Sequence, residues 1–310
     1  MTEGLMLILL APRLPEDVVA AVDAFIAEHG LSIESRRWLS EPRTSQDHGA
    51  CLEYRLVGDA IDLAILRQKA LALGQQQGVD IAVQEDSPWR DKRRLVCFDM
   101  DSTLIKAEVI DELARRHGVY DDVARVTERA MRGELDFKQS FRERMAKLEG
   151  LDESVVTEIA ENLKLMDGVE RLMFHLKRLG YRTVILSGGF NYFARYLQER
   201  LGFDEVHANE LVVANGKVTG EVREPIVDAE RKAALLERIA HREGLNLEQT
   251  VAVGDGANDL KMLATAGLGI AFRAKPLVRR QASQSISTLG IDAVLYLLGH
   301  CEADLEPVSG

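Results

Sequence analysis

Residues 94–103, RLVCFDMDST, join a short apolar run over 95–98 to two aspartates, Asp99 and Asp101. Four consecutive apolar residues read as a strand buried on both faces, and the carboxyl ends of such strands are where open α/β sheets place their ligands. Residues two apart on extended backbone point the same way, so both carboxylates can approach one centre while Met100 turns elsewhere. Like charges brought together need compensation. Magnesium supplies it through hard oxygen ligands, leaving one carboxylate as a nucleophile and the other as an acid–base group. Taken alone, the pair could equally cap the turn after its strand.

Three further segments favour the chemical reading. TVILSGG at 183–189 ends another apolar strand in a small hydroxyl residue and glycines, placing Ser187 and the Gly188 amide where they could hold phosphoryl oxygens. TVAVGDGANDL at 250–260 sets Asp255 and Asp259 in a glycine-bearing loop after a third such strand, with a helix expected to begin near Asn258. Asp255 is the better direct metal ligand, and Asp259 could orient a metal-bound water or make a longer contact. Asn258 is a further substrate-binding candidate in that loop. DAERKAALLERIA at 228–240 has helical periodicity and carries Lys232, whose ammonium could neutralise phosphate and restrain the nucleophile; the pattern leaves Lys232 and Arg231 as alternatives.

With FDMDST, SGGF and GDGANDL in this order, the chain over about 94–299 resembles the phosphoserine phosphatases of the haloacid dehalogenase-like superfamily. The resemblance implies a Rossmann-like α/β core with a helical cap, and hydrolysis of O-phospho-L-serine to L-serine and phosphate, the final step of L-serine biosynthesis. It implies Asp99 as the residue that becomes an aspartyl phosphate and Asp101 as the acid that protonates the departing serine oxygen and then helps activate water. Ser187 and Lys232 would bind and neutralise the phosphate. One magnesium ion would be held by Asp99, the Asp101 carbonyl and Asp255, with Asp259 supporting its water shell. The insertion over about 105–163, too long for a simple crossover, reads as the cap, including AEVIDELARRHG and DVARVTERAMRGELD. The resemblance assigns Glu108 to the substrate ammonium, Arg144 to its carboxylate, and Met131 and Phe137 to the apolar wall. The three motifs define phosphoryl chemistry more sharply than they define the alcohol, so another small phosphomonoester, or a regulatory assembly role centred on the first domain, are the rival readings.

Residues 1–88 read as a separate βαββαβ unit, with strands at 5–10, 32–39, 50–56 and 79–83 and helices at 16–28 and 59–74, the second with Asp59 as a candidate N-cap. This suits a small ferredoxin-like α+β sheet covered on one side by two helices. It resembles ACT-type regulatory domains, which implies an amino-acid ligand and pairing into a homodimer. The loop APRLPED lacks the glycine of typical members, which favours assembly or support. A boundary near Pro88 leaves 89–310 as the phosphatase domain.

The 310 residues carry 39 Lys and Arg against 50 Asp and Glu, a net charge of −11, which argues against a nucleic-acid coat. The 46% apolar content supports sizeable cores. Three scattered cysteines, Cys51, Cys97 and Cys301, indicate neither a disulfide scaffold nor a thiolate metal site, and fit a reducing, cytoplasmic setting. No leader and no membrane anchor are read. The segment Asn215-Gly216 signals a hairpin, and the polar tail from His300 onward is expected to be mobile.

Overall fold

A computed structural model describes residues 4–41, 48–58 and 62–305. The N-terminal elements are β1 (Leu5–Ala11), α1 (Glu16–Glu28), β2 (Leu31–Ser40), β3 (Ala50–Gly58), α2 (Leu63–Gln77) and β4 (Asp80–Glu85). Their strands form an antiparallel sheet in the order β2-β3-β1-β4. β1, LMLILLA, is buried at every position because its alternating side chains serve two interiors. Leu5, Leu7 and Leu9 belong to a core with Val22, Phe25, Ile26 and Leu66 of the two helices. Met6, Ile8 and Leu10 point the other way and belong to the core that contains Leu289, Tyr296 and Leu297. The face expected to be free of helices is therefore covered by the C-terminal segment.

α2 departs from its expected bounds. Asp62 is its N-cap, accepting from the amides of Ala64 and Ile65 at 2.9 and 3.2 Å. Asp59 lies outside the described residues, as does most of the polar loop expected at 41–49. The helix runs through Gly74, where a glycine signals close packing rather than a stop: a Cβ there would lie 2.7 Å from the Val79 carbonyl oxygen. It ends at Gly78, whose φ of 70° is left-handed.

The second unit begins with β5 (Leu95–Phe98), followed by α3 (Val109–His117), α4 (Tyr120–Met131), α5 (Phe137–Lys147) and α6 (Glu153–Glu161). Then come α7 (Val169–Arg178), β6 (Arg182–Phe190), α8 (Asn191–Leu201), β7 (Glu205–Asn209), the short β8 (Val213–Ala214) and β9 (Lys217–Val218), and α9 (Ala229–Arg242). The chain closes with β10 (Thr250–Gly254), α10 (Leu260–Thr265), β11 (Leu268–Phe272), α11 (Pro276–Gln281), β12 (Gln284–Ile286), α12 (Val294–Leu297) and α13 (Glu302–Leu305). The large sheet is parallel, in the order β12-β11-β10-β5-β6-β7. From central β5 the chain builds outward through β6 and β7, then returns to build the other half from β10. β5 and β10 thus flank a topological switch point, where the ends of adjacent strands open a crevice.

Helices α3 to α6 form the cap inserted between β5 and β6. The expected hairpin joins β8 and β9, with Asn215 and Gly216 both at positive φ, 52° and 75°. The C-terminal segment corrects the expectation of a mobile tail. Glu302 accepts from Arg171 at 2.7 Å and from the Tyr296 hydroxyl, His300 meets the Tyr181 hydroxyl at 2.9 Å, and Leu305 is buried. Its polarity serves specific partners instead of solvent. Residues 306–310 lie outside the description. Among the described residues, no helix is long and apolar enough to cross a membrane.

Candidate active site

Asp99 directly follows β5 and is anchored by its amide, which donates to the Val253 carbonyl on β10 at 2.9 Å. Asp255 follows β10. α9, whose N-cap Asp228 accepts from the Arg231 amide at 2.9 Å, inserts Lys232 between these loops. The Lys232 side chain is 0% exposed, and its Nζ donates to Asp99 Oδ1 at 2.5 Å and to Asp259 Oδ1 at 2.7 Å. Burial opposes its charge, but Asp259 and Asp99 outweigh that and hold the ammonium above its ordinary pKa. Arg231 instead lines a cleft beside Asp228 and Asn258, which resolves the choice between the two cations.

Carboxylate oxygens of Asp99, Asp255 and Asp259 lie within 4.8 Å of one another. They are not equivalent. Both oxygens of Asp259 are taken by protein donors, Oδ1 by Lys232 and Oδ2 by the amides of Asp255 and Gly256 at 3.1 and 3.0 Å. Asp255 Oδ1 accepts from Thr103 Oγ1 at 2.9 Å. Asp99 Oδ2 and Asp255 Oδ2 accept no hydrogen bond among the described residues. Burial, then the charge of Asp259, pushes Asp99 up to about 8 and Asp255 to about 7. A buried surplus of hard oxygen donors, with only one lysine to offset it, fits a divalent cation of the magnesium type.

Asp101 turns toward the cap. Its Oδ2 accepts from the Val109 amide at 3.3 Å, while its buried Oδ1 has no partner. Burial, then Glu108 and Asp99, raises Asp101 well above the usual carboxylate range. Glu108 precedes α3 and accepts from Ser102 Oγ at 2.7 Å, and burial raises its pKa as well. Arg144 on α5 faces these acids. Only its Nε is engaged, donating to the Ser140 carbonyl at 3.4 Å, so its two terminal nitrogens have no partner among the described residues. Burial lowers its pKa while Asp111, Glu108 and Asp101 oppose that effect.

On β6, Ser187 Oγ accepts from the Gly189 amide at 2.9 Å. Asp101 Oδ2 and Phe137 pack against the glycines that follow: a Cβ on Gly189 would lie 3.2 Å from the carboxylate, and one on Gly188 3.1 Å from the ring. Phe137 therefore reaches from the cap to the core. Asn258 lies over Gly256 and lines, with Phe137, a cleft of about 840 Å³ between cap and core. Met131 is not brought to this centre; at the end of α4 it is 75% exposed.

Sequence reasoning missed three residues. Thr103 and Ser102, which orient Asp255 and Glu108, lie inside the quoted FDMDST segment and were legible there as hydroxyl donors. Asn209 carried no local signal. It is 3% exposed at the end of β7, where Nδ2 donates to the Gly188 carbonyl and Oδ1 accepts from the Val227 amide, both at 2.8 Å.

A capped, switch-point crevice holding this carboxylate and lysine arrangement defines a phosphoryl-transfer hydrolase of the haloacid dehalogenase-like class; that family's pattern matches residues 93–267, and the chain belongs to it. It is 46% identical over 239 residues to the phosphoserine phosphatase of Archaeoglobus fulgidus, covering 76% of this chain and 70% of the relative. The unliganded crystal structure of a probable phosphoserine phosphatase from Vibrio cholerae superposes with a TM-score of 0.75 at 35% identity, covering 95% of this chain and 86% of that one. A phospho-aspartyl intermediate analogue of phosphoserine phosphatase superposes with a TM-score of 0.62 at 42% identity, covering 66% and 98%. Within the superfamily, these likenesses place the chain among the phosphoserine phosphatases.

Proposed function

We infer that this protein hydrolyses O-phospho-L-serine to L-serine and phosphate in two displacements, serving the last step of L-serine biosynthesis. The observation that carries the reading is the Asp99–Asp101 pair, one oxygen of Asp99 held by buried Lys232 and the other unbonded, beside a raised-pKa Asp101. The solved phospho-aspartyl analogue of a relative supports the same course.

Asp99 Oδ2 attacks phosphorus in line with the seryl oxygen, forming an aspartyl phosphate as the phosphorus–oxygen bond to serine breaks. Asp101, whose burial favours its protonated form, gives its proton to the departing oxygen. It then takes a proton from water, which attacks the aspartyl phosphate to release phosphate and regenerate Asp99. Lys232 and the Ser187–Gly188 turn accommodate the phosphoryl oxygens. Asp99, Asp255 and the Asp101 carbonyl would hold magnesium, with Asp259 bracing the loop; bound there, the ion neutralises charge and orients the phosphate. Arg144, lacking a carboxylate partner, is fitted to the substrate carboxylate, and Glu108 to its ammonium. Phe137, Asn258 and, on cap movement, Met131 would wall the remaining space.

We assign residues 1–88 to an ACT-like unit and 89–310 to the phosphatase domain, with the cap over about 105–163. Homodimerisation through that unit and an amino-acid ligand bound to it belong to the same proposal. Free Cys51, Cys97 and Cys301 support a cytoplasmic setting.

The test is phosphate release from purified protein with magnesium, comparing phosphoserine, phosphothreonine and small phosphorylated acids. Phosphoserine is expected to be strongly preferred, and comparable rates on all would overturn the substrate assignment. Arg144→Ala should lower kcat/KM for phosphoserine by about 10- to 100-fold, the loss of charge-assisted hydrogen bonds worth about 1.5–3 kcal/mol. Turnover of an aryl phosphate lacking an amino-acid group should change far less; equal losses would remove Arg144 from carboxylate recognition.

A further inference from the structure

A basic cavity lies away from the catalytic crevice, between the two units. The cavity, about 300 Å³, is bounded by α2 and β4 of the N-terminal unit and by α11 and β12 of the phosphatase domain. Its lining includes Arg67, Gln68, Arg279 and Arg280, and no lining residue is acidic. Elsewhere in the chain, Arg36, Arg37, Arg55 and Arg90 each pair with a carboxylate. The three cavity arginines have no carboxylate partner among the described residues. In a protein of net charge −11 this is a local inversion of sign.

The site is built on a fixed floor. Buried Gln284 on β12 uses both ends of its amide on Val83 of β4: Oε1 accepts from the Val83 amide at 3.0 Å, and Nε2 donates to the Val83 carbonyl at 2.6 Å. Arg67 Nε donates to the same carbonyl at 2.9 Å, which sets its plane and leaves its terminal nitrogens without a partner among the described residues. Across the cavity, Arg279 Nε donates to Ser285 Oγ at 3.3 Å, and Arg280 makes no ion pair among the described residues. Burial lowers the Arg67 pKa, and the charge of Glu85, which makes no ion pair with it, only partly opposes that effect.

We propose that this inter-unit cavity binds a small dianion, a dicarboxylate or a phosphorylated small acid, gripped by Arg67 from one unit and Arg279 and Arg280 from the other. Forked guanidiniums match oxyanions of either kind, and the volume admits only a small ligand. Occupancy would clamp the N-terminal unit onto the phosphatase domain.

The test is calorimetric titration of the full chain, with magnesium withheld, using malonate and inorganic phosphate as separate probes. One saturable site is expected for at least one probe, with Kd near or below ~1 mM. Saturation by malonate identifies a carboxylate-reading site, and saturation by phosphate alone a phosphoryl-reading one. Arg67→Ala/Arg279→Ala and the exposed charge reversal Arg280→Glu should each weaken binding by roughly tenfold or more, while phosphoserine turnover stays near that of the parent. Ser187→Ala, which alters the catalytic crevice, should leave this binding intact. No saturation by either probe, unchanged affinity in the arginine variants, or loss of binding in Ser187→Ala instead would overturn the proposal.

Discussion

Asn209 links two parts of the candidate site that no sequence motif connects. Its amide donates to the Gly188 carbonyl, in the turn after Ser187, and accepts from the Val227 amide, just ahead of the helix that carries Lys232. Asn209→Ala removes both bonds in a place that is 3% exposed, where water cannot readily substitute. Each stranded backbone group costs about 1–3 kcal/mol, so the two together should cost about 2–6 kcal/mol. That is a large share of the 5–15 kcal/mol typical of a folded domain. Release of the Gly188 peptide should also loosen the phosphate cradle; a loss of about 1.4–2.8 kcal/mol in transition-state binding would slow turnover by about 10- to 100-fold. Urea unfolding followed by circular dichroism, with single-turnover phosphate release on the same samples, measures both effects. Asn209→Asp should be as damaging, because it keeps the acceptor for Val227 but turns a carboxylate oxygen toward the Gly188 carbonyl. A stability loss below about 1 kcal/mol in Asn209→Ala, with unchanged turnover, would refute the reasoning.

Two pH effects follow from the charge environment. Asp99 and Asp255 ionise from 3.8 in the unfolded chain but are raised to about 8 and about 7 in the metal-free fold, which therefore holds their protons longer and loses stability as pH rises across that window. Magnesium requires the ionised forms, so the melting-temperature gap between magnesium-loaded and chelated protein should widen from pH 5 to pH 8, as a rough span; a gap that narrows counts against the assignment. Glu205 shows the opposite sign. Arg242, aided by His207 and Arg182, holds it down to about 2 against an ordinary 4.5, so its contribution is complete above 4.5 and lost as pH falls toward 2. Glu205→Gln should flatten the acid limb of a stability profile within that interval, and an unaltered limb would show that the network adds nothing.

The catalytic strands were legible because parallel strands buried on both faces read as uninterrupted apolar runs, and because each ended in a polar residue at a glycine or an aspartate. LVCF and its two aspartates needed no tertiary information. Lys232 was less legible: helical periodicity leaves it and Arg231 as alternatives, and only the packing of α9 against both loops separates them. Asn209 was invisible because its partners lie 21 and 18 positions away and a lone asparagine at a strand end has many ordinary uses. The bounds of α2 went astray for a similar reason. Gly74 looks like a helix stop, yet it is there to let β4 come close, a demand made by the neighbouring strand. The C-terminal segment was misread because its charges pair with Arg171 and its neighbours, a compensation that composition does not reveal.

The covering of the N-terminal sheet by the C-terminal segment has a consequence for how the chain is made. Met6, Ile8 and Leu10 are synthesised long before Leu289, Tyr296 and Leu297, which share their core. Val83 and Gln284, the pair that staples the two units together, stand 201 positions apart. At translation speeds of about 5–20 residues per second, the ribosome needs about 10–40 s to bridge that interval. Throughout it, the nascent first unit carries an unsheltered oily face, and its cover arrives only once the segment holding Leu289, Tyr296 and Leu297 has been made.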